Sequence, residues 1–367
     1  MTTIRSKVSL VLDLPPACAQ FCPPHPHLLV IGTYNLEKQQ DGSAVEGAED
    51  TAAERNGSLI VFSTDGSSLT RVQTEAQPSA ILDLRFHPAQ GRRDVVAVIS
   101  STGTLAIFRV EDSDRPLQHL ATSRCDDLAE DVLFLQCQWH PGDAYTLGVT
   151  TSSGLVRMLH LDSDWKIASH ADLDIDNSLE AWSIAFAPDP STSTTVYSGG
   201  DDSVLSPVSV KGQHGAGVTA IEPLNLHDLD GSRLVITGSY DDRIRLFSIC
   251  DPPQSYGMKK VKLLMEENLD GGVWRLDVVD VVESGDGGGV TVRILVSCMY
   301  AGARLVRIFR DANGGEWKCG VLGRFEEHES MNYASAVVPG SIGGGGGELT
   351  CISTSFYDKK LCLWDYR

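Results

Sequence analysis

The second half of the sequence carries histidine, carboxylate and aromatic side chains in short clusters that recur along the chain. The clusters contain Glu180 with Trp182, His214, Tyr240 with Asp241, Trp274 with Arg275, His328, and Tyr357 with Asp358. Histidine and carboxylate groups can transfer protons, and aromatic faces beside carboxylates can bind organic cations or peptide side chains. These residues can form one site only if the fold brings the clusters together.

The sequence lacks the familiar catalytic motifs. It contains no G-x-S-x-G, P-loop, H-E-x-x-H or C-x-x-C motif. Cys18, Cys22, His25 and His27 approach the spacing of metal ligands. Alternation along a strand explains the two cysteines more simply, and the prolines between them and the histidines make a turn. We therefore predict neither a metal site nor a cofactor.

A repeated pattern positions the clusters. An apolar run, a turn with Gly or Asp and a second alternating run recur seven times, with the apolar runs extending from LLVIGTY (28–34) to LTCISTSFYD (349–358). A further strand candidate, such as ILDLRFHP (81–88), precedes most copies. A period of two within runs and a repeat of ~40–50 residues are typical of WD-type propeller blades. The sequence therefore predicts an all-β fold, a seven-bladed WD-repeat β-propeller forming a single domain over residues 1–367.

Several segments fall outside the repeat. SLVLDL (9–14) has no blade of its own, and we predict that it closes the ring as the outer strand of the last blade. The acidic segment 36–56 is predicted to be a loop inserted in the first blade, and the Gly-rich segments 283–289 and 340–347 are predicted to be flexible turns. The fourth blade is predicted to lack a normal outer strand, because Val210 runs directly into KGQHGAG.

The repeat also predicts where the clusters meet. The first strand of a blade leaves the top face and the second strand returns to it, so the start of one and the end of the other lie together near the central channel. The clusters of blades four to seven fall at these positions, which places them on one side of the channel mouth. The alternative is structural, since WD blades commonly use an Asp after the second strand and a His before the first in a hydrogen-bond network, and tryptophans can pack between blades. This alternative applies to Asp202, Asp242, Asp358, His214, His328, Trp182 and Trp274.

Charge excludes several classes of partner. Lys and Arg total 30 and Asp and Glu total 49, which gives a net charge of −19. Such a surface repels phosphate backbones and anionic lipids, so we predict no direct nucleic-acid binding, no membrane binding and a preference for cationic partners. No transmembrane-length apolar run or secretory signal is visible, and nine cysteines without close pairs suit reduced thiols of the cytosol or nucleus. We predict a cytoplasmic monomer.

The motifs of the second half resemble the diphthine methylesterase family of WD-repeat proteins, also called diphthamide biosynthesis protein seven. The resemblance covers residues 179–366, about half of the chain. It rests on LEAW (179–182), VYSGGDD (196–202), H-x-x-G-V (214–218), TGSYD (237–241), GGVWR (271–275), Cys298-Met299, H-x-S (328–330), Tyr333-Ala334 and TSFYD (354–358). The first three blades match the family only as generic repeats.

The sequence departs from the family pattern in three blades. Leu205-Ser206-Pro207-Val208 replaces a strand that usually ends in Gly-Trp-Asp, Leu246-Phe247-Ser248 stands where Leu-Trp-Asp is common, and Ala334-Ser335-Ala336 stands where Ala-Asp-Trp is usual. The last departure removes an acidic and an aromatic group near the predicted mouth.

The resemblance implies an esterase that acts on translation elongation factor 2. The substrate would be methylated diphthine on a histidine of that factor, and hydrolysis of its methyl ester would release methanol before amidation to diphthamide. The substrate carries a trimethylammonium group, which aromatic faces and carboxylates bind well. The substrate-binding residues expected from this resemblance are Glu180, Trp182, Tyr240, Trp274, Arg275 and Tyr357.

The implied ester hydrolysis needs a base, an attacking water or nucleophile, and donors for the oxyanion. His328 or His214 is the candidate base, and Asp241 or Asp202 is the candidate group that orients it. The remaining candidates are Ser239 and Ser355 as nucleophiles and Arg275 or the amides of Gly271 and Gly272 as oxyanion donors.

The alternative function is a non-catalytic WD-repeat adaptor that binds a protein partner through its top face. This is the commoner role of the fold, and aromatic and acidic residues at a channel mouth also suit peptide binding. Turnover distinguishes the two functions, because an adaptor binds without releasing methanol.

Overall fold

The strands form a closed ring of seven mostly antiparallel sheets. The computed structural model describes residues 2–36, 55–175, 178–188, 195–206, 212–250, 260–283, 289–312, 314–341 and 348–367. The innermost strands of successive blades contact one another, and the innermost strand of blade seven contacts that of blade one. Within these residues the chain forms strands and turns and no helix. The predicted seven-bladed β-propeller is confirmed.

Each blade adds its strands from the channel outward. Blade one contains Pro16–Phe21, Leu28–Thr33, Arg55–Thr64 and Leu69–Gln77, with the short strand Asn35–Leu36 paired to the third. Blade two contains Ile81–Phe86, Val95–Ser100, Thr104–Val110 and Leu117–Arg124, and blade three contains Phe134–Trp139, Thr146–Thr151, Val156–Leu161 and Ile167–Asp172. Blade four contains Ala181–Phe186, Val196–Gly200 and Leu205–Ser206, and blade five contains Val218–His227, Arg233–Ser239, Arg243–Cys250 and Lys260–Asn268. Blade six contains Arg275–Glu283, Val290–Ser297, Ala303–Arg310, Lys318–Phe325 and Thr2–Ile4, and blade seven contains Ser335–Val337, Leu349–Thr354, Lys360–Tyr366 and Ser6–Val11.

The second strands lie in the core of the ring. Every residue of Leu28–Thr33, Val95–Ser100 and Thr146–Thr151 is buried. Both faces of such a strand pack against other blades, so its apolar residues are not confined to alternate positions. One hydrophobic cluster combines Val30 of blade one with Val98 of blade two. Packing between blades therefore explains why the sequence contains unbroken apolar runs.

The N-terminal residues link blades six and seven. Ser6–Val11 pairs antiparallel with Lys360–Tyr366, so the predicted closing strand is present, although it begins before the predicted segment 9–14. Thr2–Ile4 pairs in parallel with the outer strand of blade six, a contact that the sequence did not indicate. The Ile4 side chain is buried in this second contact.

Side chains of the innermost strands fasten neighbouring blades together. In three places a backbone amide donates to a side chain of the preceding blade. Phe86 N donates to Gln20 Oε1 at 2.8 Å, Cys137 N to Asp83 Oδ2 at 3.2 Å, and Ile184 N to Gln136 Oε1 at 2.7 Å. Further around the ring, the hydroxyls of Ser183 and Thr219 donate to the carbonyls of Val218 and Val273 on the following blade, and Ser297 Oγ lies 3.0 Å from Ser335 Oγ. Polar residues in the channel wall therefore fix the relative positions of the blades on which the mouth depends.

The predicted loops agree only partly with the structure. The loop prediction for 36–56 is wrong at its ends, because Asn35 pairs with Asn56 and Leu36 pairs with Arg55. Most of the predicted loops lie outside the described residues, at 37–54, 284–288 and 342–347. The same is true of residues 207–211, which follow the third strand of blade four. In the described part of the chain no helix has the length and hydropathy needed to cross a membrane.

Candidate functional site

The predicted mouth forms where innermost strands begin and second strands end. Asp201 N donates to Glu180 O at 3.0 Å, Tyr240 N donates to Gly217 O at 3.0 Å, and Trp274 N donates to Ser297 O at 2.8 Å. In each pair, one residue lies at the start of an innermost strand or just before it and the other at the end of a second strand or just after it. Within each of blades four, five and six, the backbone therefore joins the start of the innermost strand to the end of the second strand, as predicted.

The aromatic side chains at this position form one continuous group, which we call the aromatic cluster and define as Trp182, Tyr240, Trp274 and Tyr333. Trp274 is its centre, with ring centroids 5.6 Å from Trp182, 5.9 Å from Tyr240 and 4.9 Å from Tyr333. Trp182 and Tyr240 meet edge to face at 6.4 Å. All four residues are partly exposed. Contacts continue from Tyr333 through Phe356 to Tyr357 and Tyr34.

Gly217 allows the cluster to close around a carboxylate. A Cβ at this position would lie 2.7 Å from Asp201 Oδ1 and 3.1 Å from the Tyr240 ring. Both distances are shorter than ordinary van der Waals contacts, so any larger residue would push the carboxylate and the ring apart. Close packing against Asp201 and Tyr240 therefore explains the glycine of the H-x-x-G-V motif (214–218).

Asp201 lies against the aromatic cluster. Its Oδ1 accepts a hydrogen bond from Trp182 Nε1 at 2.7 Å. Burial raises the pKa of Asp201, and the neighbouring charges of Glu180 and Asp202 raise it further, while the bond from Trp182 opposes them. Asp201 was not among the site residues predicted from the sequence, where Glu180 and Asp241 were, although the Gly-Gly-Asp-Asp turn (199–202) at the end of a second strand pointed to it.

The two candidate bases, His214 and His328, lie behind the mouth in contact with blade hydroxyls. His214 is 5% exposed, and its Nε2 lies 2.9 Å from Thr237 Oγ1. His328 Nε2 lies 2.8 Å from Ser353 Oγ, which also accepts a bond from Trp364 Nε1 at 3.0 Å. Burial lowers the pKa of each histidine to about 4. Both imidazoles are therefore neutral near pH 7 and occupied in contacts within their own blades.

The carboxylates proposed to orient these histidines have other partners. Asp241 accepts from both terminal nitrogens of Arg245, at 2.9 Å and 2.6 Å, and from Gly215 N at 2.6 Å. Asp202 accepts from the amides of Ser178 and Val204. The contacts support the structural alternative for these residues, and the catalytic assignment of His328, His214 and Asp241 stays a prediction.

The two candidate nucleophilic serines are buried and bonded within their turns. Ser239 Oγ donates to Ala216 O at 3.0 Å, and Ser355 Oγ bonds to Asp358. Asp358 also accepts from Glu329 N at 3.0 Å. The bonds of Asp358 are those expected of a residue that fixes the turn after a second strand.

We expect His328→Ala to lower the free energy of unfolding by about 2 kcal/mol, because it removes the bond to Ser353 and leaves a cavity beside Phe325. The difference between wild type and variant should shrink on acidification. The folded protein binds the His328 proton only at about pH 4, against 6.5 for the free side chain, so this stabilisation exists above pH 6.5 and is lost as the pH falls through about 4. Urea unfolding at several pH values measures both effects.

The same variant tests the catalytic prediction. A folded His328→Ala protein that keeps full esterase activity well below its melting temperature would remove His328 from the catalytic role. Loss of activity with unchanged stability would contradict the structural role and support the residue as the base.

Arg275 points across the channel to blade two. Its Nη2 lies 2.9 Å from Asp83 Oδ1, and Asp83 is 1% exposed. Arg85 Nε lies 3.4 Å from the other Asp83 oxygen. The guanidinium predicted to bind the oxyanion is therefore paired in a channel network that was not predicted from the sequence. Charged residues at alternate positions of the innermost strands, as in ILDLRF (81–86), were the signal.

The remaining predicted binding residues differ in accessibility. Glu180 is partly exposed and close enough to Asp201 to raise the pKa of that carboxyl. Tyr357 is 67% exposed at the outer end of the aromatic chain of contacts. The structure thus brings Glu180, Trp182, Tyr240 and Trp274 together and leaves Tyr357 at the periphery.

Among the described residues, one group has potential metal ligands within reach of one another: Cys125, Asp127 and His170. Arg157 donates to Asp127 through Nη1 at 2.8 Å and Nη2 at 2.7 Å. The guanidinium already supplies the positive charge that a metal ion would bring, so this group does not fit a metal site. The Cys18 and His25 segment forms no such group.

Comparisons with known proteins identify related sequences. No family model matches the chain. It is 27% identical to the diphthine methyltransferase of Saccharomyces cerevisiae over 405 residues, covering 96% of this chain and 95% of the relative. It is 28% identical to that of Schizosaccharomyces pombe over 380 residues, covering 99% and 98%, and 25% identical to that of Mus musculus over 335 residues, covering 83% of this chain and 63% of the relative. These relatives confirm the resemblance stated from the second half and extend it to almost the whole chain.

Proposed function

We propose that the protein hydrolyses the methyl ester of methylated diphthine on translation elongation factor 2, giving diphthine and methanol in the biosynthesis of diphthamide. One observation carries the proposal: the aromatic cluster opens at the channel mouth with the carboxylates of Asp201 and Glu180 beside it. The names of the three relatives support the same pathway. We place this activity in the cytoplasm and in a monomer.

The cluster has the chemistry needed for the trimethylammonium group of the substrate. A quaternary ammonium donates no hydrogen bond, so aromatic faces and nearby negative charge must provide its binding energy. Trp182, Tyr240 and Trp274 present three rings whose centroids lie within 6.4 Å of one another. The net charge of −19 adds a long-range attraction for a cationic substrate.

Asp201 is our choice for the group that activates water. A water oxygen attacks the ester carbonyl carbon while Asp201 accepts its proton, and the acyl–oxygen bond then breaks as the methoxide leaves and takes up a proton. The products are a carboxylate and methanol, with one proton released to solvent. A carboxyl with a raised pKa is a better base than an ordinary exposed aspartate, because its conjugate acid forms nearer to neutral pH.

Asp201→Asn is expected to lower kcat by about 100-fold and to change KM little. The amide oxygen can still accept the bond from Trp182 Nε1, so the aromatic cluster should keep its geometry. Steady-state kinetics on the esterified factor measure kcat and KM separately. Asp202→Asn, one residue away, is the matched control. Unchanged kcat in the Asp201 variant would exclude the residue as the base.

The proposed function is tested by mass spectrometry of elongation factor 2 that carries the methyl-ester intermediate, incubated with the purified protein and no methyl donor. Loss of one methyl group from the modified histidine, with methanol in proportion, is the expected result. Methyl gain that requires an added donor would instead indicate a methyltransferase, the name its relatives carry.

The adaptor is the second candidate, and exposed Tyr300 and Tyr357 favour it, with 70% and 67% of their surfaces accessible. Binding of the factor without any change in its mass would support the adaptor and contradict the esterase.

A further inference from the structure

The channel has a second cavity at the face opposite the aromatic cluster. It has a volume of about 310 Å³ and is lined by residues in or just after the innermost strands of blades one to five. Phe86, Trp139 and Phe186 form part of an apolar wall, and Arg85, Gln138 and Glu222 contribute polar groups. The same three polar residues also line a smaller cavity of about 50 Å³ that reaches Trp274 and Arg275. They therefore lie at the deep end of the larger cavity, whose rim includes the exposed Pro88 and Pro141.

Glu222 and Asp277 make no hydrogen bond or ion pair with any described residue, whereas Asp83, Arg85 and Arg275 are paired with one another. Asp83 contacts both Arg275 and Arg85, at 2.9 Å and 3.4 Å. Among the described residues this channel network comprises two arginines and three carboxylates, since Asp277 also interacts with Arg85 and Arg275. When all five are ionised their charge is 2 − 3 = −1. When all are ionised, the carboxylates therefore outnumber the arginines by one, and Glu222 is the unpaired carboxylate that lines the cavity.

We propose that this cavity binds the side chain of an arginine residue presented by a protein partner, with the guanidinium at Glu222 and the aliphatic stem along Phe86, Trp139 and Phe186. A guanidinium is planar, donates two parallel bonds to a carboxylate and stacks on aromatic faces, which suits a deep carboxylate behind aromatic walls. Glu222 lies at the inner end of the cavity, below the proline rim, so a partner would reach it with a side chain rather than a surface contact. This site is separate from the proposed esterase site and does not depend on it.

The protonation behaviour of the channel agrees with a missing cation. Burial raises the pKa of Glu222 to about 7, and the nearby Asp277 raises it further while Arg85 opposes the shift. Burial likewise raises the pKa of Asp277 to about 6, against the opposing charges of Arg85 and Arg275 and with Asp83 adding to the rise. A bound guanidinium would favour the ionised form of Glu222, so binding should strengthen as the pH rises through about 7.

Isothermal titration calorimetry of the full chain with Nα-acetyl-arginine amide tests the site. We expect a dissociation constant of about 1 mM or lower, and at least about tenfold weaker binding of the neutral citrulline analogue. Glu222→Gln should weaken binding of the arginine probe by a similar factor, whereas Glu222→Asp should keep part of it. Circular dichroism and melting temperature confirm that both variants fold.

Asp201→Asn distinguishes binding in this cavity from binding at the aromatic cluster, whose rings and carboxylates also attract cations. Unchanged binding in the Asp201 variant with loss in the Glu222→Gln variant supports the proposal. Four results would each overturn the proposal. They are loss of arginine-probe binding in the Asp201→Asn variant, equally strong binding of the citrulline analogue, binding unaffected by Glu222→Gln, and no binding of the probe at several millimolar.

Discussion

Trp274→Ala is expected to lower kcat/KM for the proposed methyl-ester hydrolysis by about 100-fold, a loss as large as that expected of Asp201→Asn. Trp274 is the ring that joins Trp182, Tyr240 and Tyr333, at 5.6 Å, 5.9 Å and 4.9 Å. Its removal takes away one cation-binding face and loosens the other three. A loss of this size corresponds to about 2.7 kcal/mol of transition-state stabilisation, the upper range for a desolvated cation over an indole.

Two further variants give this prediction its controls. Trp274→Phe keeps an aromatic face and should lose less than about tenfold. Trp165→Ala removes a partly buried tryptophan of blade three that packs on Tyr145 and Trp139, far from the mouth, and should lower stability without lowering kcat/KM in the folded protein. Equal losses in the Trp274 and Trp165 variants would mean that activity follows stability alone, and the aromatic cluster would then have no demonstrated role in substrate binding.

Arg275→Met is expected to lower the free energy of unfolding by about 3 to 5 kcal/mol, the largest effect on stability. Arg275 joins blade six to blade two across the channel through Asp83, and the remaining charge on Asp83 would have only Arg85 beside it. Arg275 also opposes the rise in the pKa of Asp277, which burial brings to about 6. A raised carboxyl pKa stabilises the folded state below the ordinary value of 3.8, and that contribution is lost as the pH rises through the folded value. The destabilisation should therefore be greater above pH 6 than below it.

Urea unfolding with a double variant tests this interpretation. Arg275→Met combined with Asp83→Asn removes both charges and should recover part of the lost stability. Arg5→Ala is the control for ion pairs in general, because Arg5 pairs with Glu327 at 80% exposure and should cost less than about 1 kcal/mol. A cost for Arg275→Met no larger than that of Arg5→Ala would contradict a structural role for the bridge.

The fold could be predicted from the sequence because its signals are local. Each blade repeats a period of two and a turn, and WD blades bury their second strands on both faces, which leaves runs such as VVAVIS (95–100) in the sequence. The closing strand was predictable because SLVLDL (9–14) was left without a blade, although the observed strand is Ser6–Val11. The parallel contact of Thr2–Ile4 and the strand pairing of Asn35 and Leu36 were not, since short edge pairs carry no periodic signal.

The candidate site was predictable in its location and only partly in its roles. The order of strands in a blade places Trp182, Tyr240 and Trp274 at one mouth, and the structure brings their rings into contact. The partner of each polar group did not follow from that order. His328 meets Ser353, and Asp201 rather than Asp241 meets the cluster, because those pairings depend on side-chain directions within each turn.

The sequence by itself therefore determined the repeat, the number of blades and the face at which the aromatic residues gather, since these depend on alternation and spacing along the chain. Only the tertiary structure decided which charges are paired across the channel. Asp83 and Arg275 belong to blades two and six, and they meet because the ring closes. Closure of the ring likewise leaves Glu222 without an ion-pair partner, a property of distances across the channel that local sequence patterns do not contain.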